Sequence, residues 1–176
     1  MVKQIRRVVT AQNSDGKSEF IIDEMATSVK EMESMPGLAL TDIWVTNGSP
    51  ANNEGSDDTA DRPIVLEPPK NGTIFRVVEF PPDSAWRDSA DAQEAFDSIG
   101  AGHASDKKSS DPMMHKTSTV DYLIVLQGEI WAILDDSEVC LKAGDVMVQR
   151  GTTHSWSVRT DEPCLLVAIL VDAEPI

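Results

Sequence analysis

Hydrophobic and polar residues alternate over most of the second half of the chain, which predicts short β-strands. Turn residues, mainly glycine and aspartate, separate the alternating stretches at regular intervals. Short strands with regularly spaced turns are typical of an antiparallel sandwich or barrel. The strand-like runs from residue 115 onward are 115–127, 129–134, 138–142, 145–149, 152–159 and 164–171.

The first part of the chain predicts a β-hairpin. The runs 5–12 and 18–23 are strand-like, and Gly16 in the intervening 13–16 segment suits a tight turn. Residues 25–35 are ambiguous between a short helix and an irregular arm. Two further strands are expected at 38–46 and 72–80, separated by a polar loop that covers 47–63.

The best helix candidate is 88–100. Asp88 or Ser89 is suited to cap its start, acidic residues favour its first turn, and Gly100 is suited to end it. Residues 101–112 then form another loop. The pattern as a whole predicts an all-β fold with one short helix.

The chain has 176 residues, of which 40% are hydrophobic, enough for one domain with a substantial core. We expect one domain overall, with residues 1–48 forming a hairpin and strand arm on residues 64–176, which form the main barrel. The arm is expected to pack on the barrel or on a dimer partner.

The net charge of −15 makes phosphate backbones and anionic lipid surfaces poor partners. The first residues contain no long apolar run of the kind found in secretory signals. Two cysteines in a chain of this length do not form a disulfide framework. These observations predict a cytoplasmic protein that binds neither nucleic acid nor membranes.

The residues that could carry chemistry lie on the predicted strands. His115, Thr117 and Asp121 occupy alternating positions, so their side chains are expected on one face. His154 and Trp156 share a face of a later strand. Two histidines and a carboxylate that converge could form a metal site or an acid–base site, or could be a polar patch without chemistry.

Residues 112–160 resemble the cupin superfamily in both of its signature segments. The first segment is matched by His115, Thr117 and Asp121, followed after six residues by Gly128. The second is matched by Gly144, Gly151 and His154, with Gln149 where proline is usual and Val158 where asparagine often stands. The resemblance implies an antiparallel double-stranded β-helix, the jelly-roll or cupin barrel, here with an N-terminal hairpin extension.

The resemblance also implies a ligand set for a divalent metal such as Zn, Fe, Mn or Ni. His115, Asp121 and His154 correspond to ligand positions, with Asp121 in place of the usual glutamate. Thr117 stands where the family has its second histidine. Two readings follow. In one the three residues hold a metal, with water or substrate filling the side near Thr117; in the other the metal is weak or absent and they bind or protonate an organic ligand. In an enzyme, Thr117 could donate a hydrogen bond to the substrate.

Further residues are expected around the same cavity. Leu123 and Val125 continue the inward face of the first signature strand, and Trp156 lies two positions after His154. His103, in the loop before the first signature segment, is a candidate lid residue within 82–112, a segment long enough to cover the mouth of the barrel.

The preferred function is a small-molecule enzyme, a metal-assisted lyase, dehydratase, decarboxylase or isomerase, in which Asp121, His115, His154 and Thr117 carry the chemistry. The substrate is expected to be a small organic molecule of the secondary-metabolite or sugar-acid kind. The alternatives are an iron-dependent dioxygenase and a non-catalytic small-ligand-binding protein. Exposed strand edges favour a homodimer.

Overall fold

The computed structural model describes residues 2–176, and its regular secondary structure is almost entirely antiparallel β-strand. One short helix, α1, covers Ala92–Asp97, and a single 3-10 turn covers Asp83–Ala85. The strands are β1 Arg6–Gln12, β2 Ser18–Met25, β3 Val29–Glu31, β4 Ala39–Thr46, β5 Thr73–Phe80, β6 Thr119–Gln127, β7 Glu129–Ile133, β8 Glu138–Lys142, β9 Val146–Arg150, β10 Ser155–Ser157 and β11 Cys164–Asp172.

Two sheets form the barrel. One has six strands in the order β3-β4-β5-β11-β6-β9, and the other has three in the order β10-β7-β8. Strands that are distant in sequence, such as β5 and β11, pair side by side, and all the pairings are antiparallel. This is the jelly-roll arrangement, so the predicted all-β fold class is confirmed. The hairpin β1-β2 forms a separate sheet.

The main core lies between the two sheets and follows from the alternation along the strands. On β6, Leu123 and Val125 are 4% and 1% exposed, whereas Leu126 on the other face is 50% exposed. They belong to one apolar cluster with Ile130 of β7 and Leu166 of β11. Burying such side chains stabilises the fold by about 1.5–3 kcal/mol each.

A second apolar cluster lies beneath α1. Phe96 and Ala95 of the helix are buried against Met32, Met35 and Trp86. The helix is shorter than predicted, because Arg87 and Ala90 donate their backbone N–H groups to Asp83 and Trp86 in the preceding turns. Its cap is Asp91, whose side chain accepts a hydrogen bond from the Glu94 N–H at 3.0 Å.

The N-terminal region divides between a hairpin and the barrel wall. The ambiguous residues 25–35 form the edge strand β3 and the start of a turn, and the strand predicted at 38–46 is a full member of the six-stranded sheet as β4. Within residues 2–176, no helix is long and apolar enough to span a membrane.

Candidate functional site

A cavity opens between the two sheets and is covered by the segment that carries α1. Its wall is mostly apolar, and its volume is about 120 Å³, enough for a small organic group but not for a macromolecule. The polar residues of its lining come from β5, from β6 and the residues just before it, from the 3-10 turn and from the residue just before β10. They are Arg76, Asp83, His115, Thr117, Asp121 and His154.

His115 and His154 form a close pair at this cavity. Their backbones exchange two hydrogen bonds, each 2.9 Å long, in an isolated bridge just before β6 and β10 begin. The ring centroids are 4.2 Å apart and the rings are tilted by 51°. The strands β6 and β10 are thus shorter than the strands predicted at 115–127 and 152–159. The isolated bridge between His115 and His154 nevertheless brings the two imidazoles together.

Backbone carbonyls orient both rings. Nδ1 of His115 lies 2.9 Å from the Met113 carbonyl, and Nδ1 of His154 lies 2.8 Å from the Thr152 carbonyl. A carbonyl only accepts, so each Nδ1 carries the proton and each Nε2 has a free lone pair. Burial lowers the pKa of both imidazoles; for His154, with a further contribution from His115, it falls to about 3. Both rings are neutral at physiological pH.

Asp121 is the buried acid of the site. The Thr119 hydroxyl is a hydrogen-bond partner of its side chain. The carboxyl oxygen Oδ1, however, is fully enclosed and has no hydrogen-bond partner among residues 2–176. Burial raises the pKa of its carboxyl to about 6, and the Thr119 bond opposes that rise only in part. Thr119 in turn lies 2.8 Å, hydroxyl to hydroxyl, from Thr117.

The predicted site residues are only partly brought together. Thr117, Leu123 and Trp156 line the cavity with the two histidines and Asp121. Val125 does not, because it lies deeper in the core between the sheets. His103 does not either: its side chain is 65% exposed, pairs with Glu67 at 3.0 Å, and lines a shallow surface depression.

Other cavity residues were missed in the sequence. Arg76 is 1% exposed and forms a buried ion pair with Asp42, with Nε and Oδ1 separated by 2.6 Å. Its position on the inward face of β5, between Ile74 and Val78, is the signal that could have identified it. The methionines Met32, Met35 and Met113 also line the cavity, and they come from loops whose packing the alternation does not encode.

A metal ion at this site would need donors that converge. The chemistry of the donors suits a divalent ion, since two neutral imidazoles have free Nε2 lone pairs and Asp121 has an unpartnered oxygen. Their arrangement does not: in the part of the chain that the structure describes, no three His, Cys, Asp or Glu side chains form a group that could hold an ion.

The chain is similar in sequence to several curated proteins. No protein-family model matches the chain. The cupin-domain-containing oxidoreductase virC of Hypocrea virens is 27% identical over 97% of this chain and 77% of its own length. The phomopsin biosynthesis cluster protein C' of Diaporthe leptostromiformis is 46% identical, but the match covers 36% of this chain and only 35% of that relative.

A solved structure also aligns along the whole chain. The putative ethanolamine utilization protein Q of Salmonella typhimurium superposes with a TM-score of 0.46 at 11% identity, over 98% of this chain and 99% of that one. Three relatives that align along most of this chain are named as cupin-domain-containing oxidoreductases. Their similarity, together with the jelly-roll barrel in which the two signature segments meet at His115 and His154, supports the resemblance to a single-domain cupin.

Proposed function

We propose that this protein is an enzyme that transforms a small, largely apolar organic molecule in the barrel cavity by moving a proton through Asp121. The observation that carries the proposal is the enclosed and unpartnered Oδ1 of Asp121 beside an apolar cavity. A buried polar atom without a partner costs folding free energy, so its presence at a cavity points to a role with a ligand.

The reaction that suits this site starts at a carbon next to a carbonyl group. The Asp121 carboxylate accepts the proton from that carbon, the C–H bond breaks, and its electron pair forms an enolate. Where a C=C bond of the substrate is conjugated with the enolate, return of the proton to the far carbon of that bond gives an isomer with the double bond moved. Departure of a hydroxide, protonated to water by the Asp121 carboxylic acid, gives a dehydrated product. Burial supports this role, because a carboxyl pKa of about 6 lies close to the working pH of a cell.

The neighbouring residues would position the substrate. The free Nε2 atoms of His115 and His154 accept hydrogen bonds from substrate hydroxyl groups, since both rings are neutral and each Nδ1–H is already used. The Thr117 hydroxyl is available to donate. Trp156 lies edge-on to His154, with ring centroids 5.7 Å apart, and offers an apolar surface for a planar substrate.

The substrate class follows from the lining and from the relatives. Methionine and aromatic side chains lie among aliphatic ones around the cavity, and this apolar lining suits an apolar or aromatic molecule better than a sugar acid. Relatives are named for the phomopsin and oryzines biosynthesis clusters. We therefore assign the protein a substrate of the secondary-metabolite kind.

A second candidate is an oxidoreductase, and the names of three relatives, all cupin-domain-containing oxidoreductases, favour it. In that case His115, Asp121 and His154 would hold a divalent ion, iron for a dioxygenase, and the ion would supply the redox chemistry. The side chains would have to move closer together than they are. The metal site predicted from the sequence thus remains a proposal.

One experiment separates the two candidates. Chelator-treated protein is incubated in D₂O under argon with a panel of enolisable aryl ketones, and ¹H NMR follows the loss of the protons next to the carbonyl. Proton-transfer chemistry predicts catalysed exchange without metal or O₂. The oxidoreductase predicts no exchange under argon and O₂ uptake only after iron is restored.

We further propose a homodimer formed through the outer face of the six-stranded sheet. On this face Tyr122 pairs with Val148 of the edge strand β9, and they are 48% and 55% exposed; Val146 is 71% exposed. Contiguous exposed apolar surface of this kind marks an interaction site. Its position at a sheet edge suits an isologous contact between two copies.

Val148→Glu is expected to convert the dimer into a monomer, because a carboxylate at the centre of an apolar interface loses its hydration without gaining a partner. Sedimentation velocity measures the change. The matched control is Val139→Glu on β8, which is 50% exposed but lies in the other sheet and should leave the dimer intact. A wild-type protein that sediments as a monomer would contradict the proposal.

A further inference from the structure

Arg76 is the one cationic side chain that lines the cavity within residues 2–176, and it has no role in the chemistry described above. It lies on the inner face of β5 and is 1% exposed. A cation so deeply buried in an apolar wall is costly unless it is paired. Its presence among leucine, methionine and aromatic residues therefore needs an explanation.

The structure holds this guanidinium on one side only. Nε donates to Oδ1 of Asp42 at 2.6 Å, and Nη2 donates both to Oδ2 of Asp42 at 3.2 Å and to the Val65 carbonyl at 2.6 Å. Asp42 is fully buried and does not line the cavity. Nη1 has no acceptor among the residues that the structure describes, and it is not one of the fully enclosed atoms that lack a partner. Nη1 is thus oriented by fixed neighbours and remains available to a ligand.

Arg76 and Asp121 lie on the same face of the sheet. Arg76 pairs with Ala168 of β11, which pairs with Leu123 of β6. Asp121 is two residues before Leu123 and so lies on the same face as Arg76, with β11 between them. Neighbouring strands are about 4.8 Å apart, so the backbones of β5 and β6 are separated by roughly 10 Å. The small side chain of Ala168 leaves space between the two polar groups.

We infer that Arg76 binds the carbonyl oxygen of the substrate and so determines which apolar molecules the cavity accepts. The inference rests on the proposed function, because that carbonyl is the group that makes the neighbouring carbon acidic. A hydrogen bond from a buried cation stabilises the negative charge that develops on this oxygen when Asp121 removes the proton.

The charges favour a neutral oxygen acceptor over an anion. Asp42 already neutralises Arg76, and Asp121 is a second carboxyl group at the same cavity. A ligand that carried a full negative charge would be repelled by Asp42 and by ionised Asp121. A ketone or aldehyde accepts the Nη1 hydrogen bond without that repulsion, so the ligand class is an apolar molecule with a carbonyl group.

The test uses two probes that differ in one atom position. Acetophenone carries a carbonyl oxygen where α-methylstyrene carries a CH₂ group, and their shapes are nearly the same. Methyl NMR of Leu123 and Leu166, both in the cavity lining, gives dissociation constants in wild type and variants. The measured quantity is the ratio of the two dissociation constants, which cancels the hydration difference between the probes when proteins are compared.

The main variant is Asp42→Val/Arg76→Met, which removes both charges together and leaves no unpaired ion in the core. The preference for acetophenone is expected to fall by at least about tenfold, the effect of losing a hydrogen bond to a charged donor. Arg76→Lys, which retains a charge opposite Asp42, serves as the second variant and is expected to lose preference in the same direction. Asp145→Asn, at an exposed residue outside the cavity lining, is the control and should leave the preference unchanged.

The outcomes are distinct. A preference that stays within twofold of wild type in folded Asp42→Val/Arg76→Met overturns the role of Arg76 and leaves the role of Asp121 standing. Tighter binding of benzoate than of acetophenone overturns the neutral-carbonyl assignment. If neither acetophenone nor α-methylstyrene shifts the Leu123 and Leu166 methyl signals, the cavity does not bind such molecules and the proposed function itself fails.

Discussion

Replacing His154 with asparagine should remove much of the loss of stability that acidification causes in the wild-type protein. The amide nitrogen of asparagine can still donate to the Thr152 carbonyl, as Nδ1 of His154 does. What the variant lacks is a group with a pKa of about 3 in the folded chain, against an ordinary value of 6.5.

The direction in which pH changes the free energy of unfolding follows from proton binding. Between pH 6.5 and 3 the unfolded chain binds a proton at His154 and the folded chain does not, so the free energy of unfolding decreases as pH falls. The contribution is complete above pH 6.5 and is lost progressively below it. At about 1.4 kcal/mol per pKa unit, His154 accounts for a loss of several kcal/mol, at most about 5. Burial lowers the pKa of His115 too, so it acts in the same direction.

Urea unfolding at several pH values between 7 and 4 measures the effect. The difference in free energy of unfolding between His154→Asn and wild type should shift in favour of the variant as pH falls. His103→Asn is the matched control, because His103 is 65% exposed and lies outside the cavity. Parallel pH curves for wild type and His154→Asn would show that His154 is not buried in its neutral form.

The stability of Asp121→Asn relative to wild type should change with pH in the direction opposite to that of His154→Asn. Burial raises the pKa of the Asp121 carboxyl from 3.8 to about 6, so between these values the folded chain keeps a proton that the unfolded chain has released. The wild-type free energy of unfolding therefore decreases as pH rises from 3.8 to 6, and the loss persists above pH 6. Asparagine keeps the shape of the side chain and cannot ionise.

Relative to wild type, the Asp121→Asn variant should gain stability as pH rises, by up to about 3 kcal/mol above pH 6. The measurement is urea unfolding from pH 4 to 8 in the presence of a chelator, because a bound cation would keep the carboxylate ionised and remove the effect. Asp145→Asn, an exposed turn residue, is the control. A stability difference between Asp121→Asn and wild type that does not vary with pH would contradict the burial of an unpartnered carboxyl.

The sequence predicted those features that depend on local patterns. Alternation located nearly all the strands, and it placed His115, Thr117 and Asp121 on one inward face because successive side chains of a strand point to opposite sides. Strand geometry alone did not predict that His154 would reach the same cavity; that expectation came from the resemblance to the second cupin signature segment.

Features that depend on long-range packing could not be predicted in the same way. Asp42 and Arg76 are 34 residues apart, and their pairing appears only when β4 and β5 come into register. His103 was expected at the cavity because its loop precedes the first signature segment, but Glu67 holds it on the surface. The start of α1 also depends on the turns that precede it, in which the backbone carbonyls of Asp83 and Trp86 accept hydrogen bonds from the N–H groups of Arg87 and Ala90.

The most direct test of the central claim compares wild type with Asp121→Asn in the D₂O exchange assay, metal-free and under argon. A general acid–base group contributes about 10²- to 10⁴-fold to a rate. Wild type is expected to exchange the protons next to the carbonyl of at least one aryl ketone, and Asp121→Asn is expected to do so at least about 100-fold more slowly while remaining folded. Equal exchange rates in the two proteins, or no exchange above the buffer rate in wild type, would contradict that claim.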